Sequence, residues 1–411
     1  MSNQAQAPTR PPELLAPAGG QEQLEAALRF GADAVYVGGQ RFGLRAFAGN
    51  FDRPALERAV RTAHGLGRRL YVTVNAFLYE QDLQPVAAYL RELEELGVDA
   101  AIVSDPAAVL LAREQAPGLP LHLSTQANTL NSRAAAFWHG QGVERVILAR
   151  ELTMEDLRAI RANTPKTLTL EAFVHGAVCA SYSGRCVLSN YLTGRDANQG
   201  ACAQTCRWKY ALVEEKRPGE YLPIVEDGRG TYLYSANDLC MIEHLAELLK
   251  AGVSSFKIEG RMKTDYYVAT VVSAYRRALD DALAGKPFDP ELLRRACFAS
   301  HRPYSTGFYF TRRPDSPPGS VQVQQGASYL AKVLEIYPDG RGLVEQRNKF
   351  LAGERLQLFG PGGYADFLAE DLRSPEGEPL SAAPHPKQRL TLPLPPQAQA
   401  GDYLVRIKEQ A

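Results

Sequence analysis

The chain of 411 residues has no net charge to offer a polyanion, because Lys plus Arg and Asp plus Glu each number 46. Any nucleic-acid contact must therefore rest on a local patch and not on a global field. The paired cations Arg207 with Lys209, Arg261 with Lys263, Arg276 with Arg277, and Arg312 with Arg313 are the candidates, although each alone reads as an ordinary solvated face. No apolar run is long enough to cross a bilayer, and the opening MSNQAQAPTRPP has no apolar core. Both absences point away from membrane and secretion and toward the cytoplasm. Cysteine is scarce: six thiols in this length are too few for a disulfide scaffold, so in a reducing compartment they read as ligands or nucleophiles. G-x-S-x-G and H-E-x-x-H are both missing, which removes the hydrolase elbow and the zinc-protease helix.

What is present is a regular alternation. Short apolar, β-branched runs begin at Leu14, Ala34, Leu70, Ala100, Leu121, Val146, Leu170 and Phe256, and amphipathic segments separate them. Eight such units predict an α/β fold, a TIM-like (β/α)8 barrel, with a doubly wound open sheet as the alternative. The reading divides the chain into a flexible N-terminus (1–12), a (β/α)8-type catalytic domain (13–313) with a Cys-rich insertion after the seventh strand over about 177–240, a Pro-rich linker (314–320), and a small all-β barrel (321–411). A helix is expected over Thr264–Ala284, with Tyr267, Val271, Ala274 and Ala278 on one stripe.

In a barrel, polar residues at the strand C-termini converge on one face. Here they are Asn75, Asp105, Gln126, Arg150, Glu151, His175, Glu259 and Arg261. His175 is a candidate catalytic residue, set against the plainer reading of a backbone-bonded histidine; Glu259 is the second candidate. His122 reads as structural. Strand alternation puts Lys257, Glu259 and Arg261 on one face, suited to an anionic ligand if that face is the mouth. The thiols follow an irregular spacing: Cys179, Cys186, Cys202, Cys206, then Cys240. None forms the C-x2-C pair of structural zinc, and spacing leaves zinc and an iron-sulfur cluster equally open. Cys297 reads as a buried apolar side chain. Ser181 and Ser183 have no assignable base.

EAFVHGAVCASYSGRCVLSNYLTGRDANQGACAQTCRWKY, with KIEGRMKTDYYVATVVSAYRRAL, SHRPYSTGF and PELLAPAGGQEQLEAALRFGADAVYVGG, resembles the signature of the collagenase-like peptidase U32 family over nearly the whole chain. The resemblance implies a 4Fe-4S cluster on Cys179, Cys186, Cys202 and Cys240, with Cys206 spare. A barrel followed by one β domain, itself similar to elongation-factor β-barrels, looks like the branch that helps form 5-hydroxyuridine at the tRNA wobble position without molecular oxygen. In that branch prephenate is implicated. The implied partners are tRNA and a small anionic co-substrate held by Lys257, Glu259, Arg261, Asn75 and Gln126. The alternatives are a peptidase that hydrolyses peptide bonds and a zinc-stabilised RNA-binding protein.

Overall fold

The computed structural model describes residues 11–45, 48–179, 181–208, 226–227, 230–231, 237–312 and 323–408. Seven parallel strands follow in order: β1 (Glu13–Pro17), β2 (Ala34–Gly38), β3 (Arg69–Val74), β4 (Ala100–Val103), β5 (Leu121–Leu123), β6 (Arg145–Ile147) and β7 (Thr169–Ala177). An eighth, Ser255–Ile258, pairs in parallel with both β1 and β7. That double pairing closes the ring and excludes the open sheet. The strands are buried almost throughout, which is why they read as apolar runs without alternation.

Helices cover the outside. Their starts are encoded locally: Asp52, Asp105, Asn131, Thr153 and Thr264 each accept a backbone N–H at a helix N-terminus. Each such cap contributes about 1 kcal/mol. The long helix Asp265–Leu283 buries Tyr267, Val271, Ala274 and Ala278, the expected stripe. No helix among the described residues is long and apolar enough to cross a membrane.

The barrel axis is not filled by hydrocarbon alone. Arg145 Nη1 lies 2.6 Å from Glu13 and 2.8 Å from Glu171, and Lys257 Nζ lies 2.9 Å from Glu171. Ser255 Oγ lies 3.1 Å from Glu13 and 2.9 Å from Glu171 and accepts from Arg145 Nη1, and the Tyr71 hydroxyl donates to Glu13. The network links β1, β3, β6, β7 and the eighth strand. His122 packs edge-on against Tyr71, as its structural reading requires. A further strand, Asp238–Cys240, runs antiparallel to β7 on its far side and carries Tyr304–Ser305 beside it.

Residues 327–407 form the second domain, an antiparallel six-stranded sheet around its own core of Leu330, Val333, Val344, Phe350, Leu356 and Leu404. It docks on the flank made by Gln21–Arg29 (α1) and the long helix. Phe30, Tyr266, Tyr329, Phe359 and Tyr403 interlock there, with Arg29 paired to Asp402 and Lys332 to Asp265. The predicted linker and most of the expected flexible N-terminus lie outside the described residues.

Glu13→Gln is expected to cost about 3–5 kcal/mol, because it leaves Arg145 short of a buried partner. Burial alone would raise the Glu13 carboxyl, but Arg145 and Arg69 hold it below its ordinary 4.5. Its stabilising contribution is therefore present above that pH and lost as pH falls through the lower folded value. Denaturant titrations from pH 7 to pH 3 should show a shallower acid slope for the variant; equal slopes would refute the role.

Candidate active site

The C-terminal ends of the strands bring a cationic group together around one carboxylate. Glu259, one residue beyond the eighth strand, lies 3.3 Å from Arg45 and 3.8 Å from Arg150, and accepts a 3.3 Å bond from the Tyr36 hydroxyl. Burial would raise its carboxyl, yet Arg45, Arg150, Arg261 and Lys257 together hold it below the usual range, so it stays ionised. Arg261 is buried and donates to Thr73 Oγ1 at 3.1 Å and Asn50 Oδ1 at 2.6 Å. The Arg150 guanidinium stacks 3.8 Å over the Phe173 ring and donates to the Ala177 carbonyl.

Three guanidinium groups against one carboxylate leave positive charge over. Arg150 Nε, Arg261 Nε and Asn75 Oδ1 are also buried without a hydrogen-bond partner among the described residues. The oxygens of a small anionic ligand would accept from the two Nε–H groups, and a hydroxyl on it would donate to Asn75 Oδ1. Two of the expected binding residues, Glu259 and Arg261, are thus in the mouth, and Asn75 joins them, its Nδ2 donating to Ser124 Oγ. Gln126 lies in the turn after β5, under the insertion.

Lys257 differs from expectation. It shares the face but sits deeper, held by Glu171 and covered by the Tyr36 ring at 4.3 Å. Its charge reaches Glu259 without its ammonium reaching the mouth.

His175 is a plain correction. Lys257 pairs with Phe173, but Ile258 pairs with His175, so Val174 is an extra residue in β7. Such a bulge reverses the alternation. Phe173 therefore faces inward while the His175 ring is buried on the outer side, 3.3 Å from the Tyr275 hydroxyl and 3.4 Å from that of Tyr304. Burial pushes its imidazole down to about 3, so it is neutral and poorly basic, and it does not serve the mouth.

Tyr36, Arg45, Asn50 and Thr73 were not legible as site residues. One signal was available. A Cβ at Gly38, in the AVYVGG motif, would lie 2.0 Å from Arg261 Nη2, so that glycine makes the slot for the guanidinium. Asp105 and Glu151, also strand-end residues, are structural: Asp105 caps a helix, and Glu151 accepts from the Ser183 N–H.

The Cys-rich insertion is fastened across this face. Ser183 also meets Thr125, Asn128 Nδ2 donates to the Ser183 carbonyl, and Phe77 N–H donates to the Asn198 carbonyl. A Cβ at Gly184 would strike the Gln126 carbonyl at 2.1 Å, and one at Gly200 would strike that of Gly43 at 2.5 Å; both have positive φ. Glycine is required at both points by close backbone approach.

The thiols suit a soft metal chemically, but the described placement does not gather them. Among the described residues no three Cys, His, Asp or Glu side chains converge to hold a metal ion. Cys179 and Cys202 both bear on Arg45 at the mouth. Cys240 pairs with His175 on the outer side, its buried thiol 3.7 Å from the Tyr275 hydroxyl and pushed up to about 12. The arrangement as it stands does not fit a four-thiolate cluster. Cys297 caps the helix Pro290–Ala296 and is only half-buried.

The peptidase family U32 model matches residues 19–317, and the U32 C-terminal domain model matches residues 325–406. The chain belongs to peptidase family U32. This U32 chain is 37% identical to tRNA hydroxylation protein P of Escherichia coli (strain K12), covering 93% of the chain and 94% of that protein. It is 39% identical to the 23S rRNA 5-hydroxycytidine C2501 synthase of the same organism, over 65% of this chain and 39% of that one. It is 42% identical to an uncharacterized protease of Methanocaldococcus jannaschii, with 78% of each covered.

Gly38→Ala is expected to move the Arg261 guanidinium while the strand survives, because only the far end of a side chain must yield. The stability loss should be below about 1–3 kcal/mol. A crystal structure of the variant with Arg261 still bonded to Asn50 and Thr73 would contradict this.

Proposed function

We propose that this chain takes part in RNA hydroxylation, forming 5-hydroxyuridine at the tRNA wobble position without molecular oxygen. What carries the reading is the cationic mouth with three orphaned polar atoms, in a chain matched over 93% of its length by a protein named for tRNA hydroxylation. The mouth would bind an anionic co-substrate of the prephenate kind. Arg150 and Arg261 would hold its carboxylate, with Asn75 orienting it. Glu259, ionised and hydrogen-bonded by Tyr36, keeps Arg45 and Arg150 in place and stands as the acid–base candidate at the site. The fastened insertion would exclude water above it.

The name of the archaeal relative favours a peptidase, but the geometry gives that reading little. His175 faces away from the mouth, and the Ser183 hydroxyl is held by Glu151 and Thr125, with Glu151 also accepting the Ser183 N–H, an arrangement that anchors the insertion. RNA is the partner this reading favours. Of the paired cations considered from sequence, Arg276 is spent on Asp33 and Asp280, Arg277 on Asp281 and Arg312 on Asp156. Lys209 and Arg313 lie outside the described residues.

A bacterial strain lacking wobble hydroxylation, complemented with this chain, should regain 5-hydroxyuridine in digested tRNA analysed by mass spectrometry. Arg261→Met should lose at least about 90% of it, one broken charge-assisted contact amounting to roughly 1.5–3 kcal/mol. Well-expressed native chain that restores nothing would sink the proposal.

The finer part, a 4Fe-4S cluster on Cys179, Cys186, Cys202 and Cys240, rests on donor chemistry alone, and no step is assigned to it. Loading it would have to draw Cys240 away from Tyr275. Anaerobic purification should give a brown protein with about four irons per chain, and Cys240→Ser should lose them. A colourless chain carrying zinc would favour the metal-stabilised RNA-binding alternative.

A further inference from the structure

The insertion's outer surface is left unexplained by the site beneath it. Five of the sixteen exposed large apolar side chains among the described residues fall between 182 and 208: Tyr182, Val187, Tyr191, Leu192 and Trp208. Tyr191 is 87% exposed, on the short helix Leu188–Thr193, which packs against the turn Thr205–Arg207 that leads directly to Trp208. The neighbouring loop after β3, bonded to Asn198, adds exposed Phe77 and Tyr79. Exposed aromatics in such density are not a solvated face.

Charge indicates what covers them. Residues 181–208 contain three arginines and one aspartate, in a chain whose total is neutral. Arg185 is exposed, as is Arg41 in the loop that Gly200 touches. The aspartate, Asp196, accepts the Asn198 N–H. Aromatic faces interleaved with arginines, on a neutral protein, suit unpaired nucleotides: bases stack on the rings and phosphates meet the guanidinium groups. A duplex, with its bases already stacked, offers no such faces.

We propose that Tyr182, Tyr191 and Trp208, with Arg185 and Arg41, form a stacking platform for single-stranded RNA beside the barrel mouth. It rests on the RNA reading above and adds the surface that takes the unpaired bases flanking the one presented to the mouth. Arg195 is no part of the contact, since it donates to the Ala201 and Cys202 carbonyls and holds the insertion's own shape.

The test is fluorescence anisotropy of the full chain with a labelled short oligouridine and with an RNA duplex of equal length. The native chain should prefer the single strand, and Tyr191→Ala and Trp208→Ala should each weaken binding about tenfold. Tyr191→Phe should retain it, and thermal melting should be unchanged for all three. Unchanged affinity in the alanine variants, equal binding of duplex, or displacement of the RNA by denatured collagen would each overturn the platform. If those variants still support wobble hydroxylation in the complemented strain, only the platform falls. If the native chain neither binds RNA nor restores hydroxylation, both readings fall.

Discussion

The structure depends on the seam where the eighth strand closes the ring. Strand Ser255–Ile258 sits between β1 and β7 and carries Ser255 and Lys257 into the axis, where Glu13, Arg145 and Glu171 meet them. Each charge is paired and hydrogen-bonded, which is the condition for ions to be tolerated in a low-dielectric interior. Every strand end that contributes to the mouth is positioned by that closure. Glu259 and Arg261 follow Lys257 directly in the chain, so the ionic plug and the cationic mouth are successive layers of one barrel.

The mouth and the insertion form a second level of dependence. Arg261 reaches Thr73 and Asn50 only because Gly38 has no side chain, and the insertion approaches the barrel rim only because Gly184 and Gly200 have none. The result is a buried cluster of guanidinium groups around Glu259, next to an insertion that carries exposed aromatic rings. The second domain packs on the opposite kind of surface, an apolar flank of α1 and the long helix locked by aromatic rings.

Much of the architecture is legible in the sequence. All eight barrel strands lie where apolar runs were read, because strands buried on both faces are mostly apolar even where a few charged side chains pair at the axis, and helix starts are marked by their capping side chains. Glu259, Arg261 and Asn75 were legible as mouth residues from their place at strand ends. His175 failed by the same logic, since one inserted residue in β7 turned its ring to the outside. Tyr36, Arg45 and Asn50 come from β2 and the loop after it, and nothing in their local sequence says that Glu259 and Arg261, more than 200 residues later, will be their partners.

The sequence by itself determined the period of the elements, their boundaries, the split into an α/β part and a β part, and the gathering of thiols in one segment. Those are local properties of hydrophobic spacing, capping and turn residues. Only the tertiary structure decided ring closure, the depth of Lys257, the outward turn of His175 and the separation of Cys240 from the mouth. Each depends on register between strands, which is set by packing and hydrogen bonding across the whole barrel and is carried by no short stretch of chain.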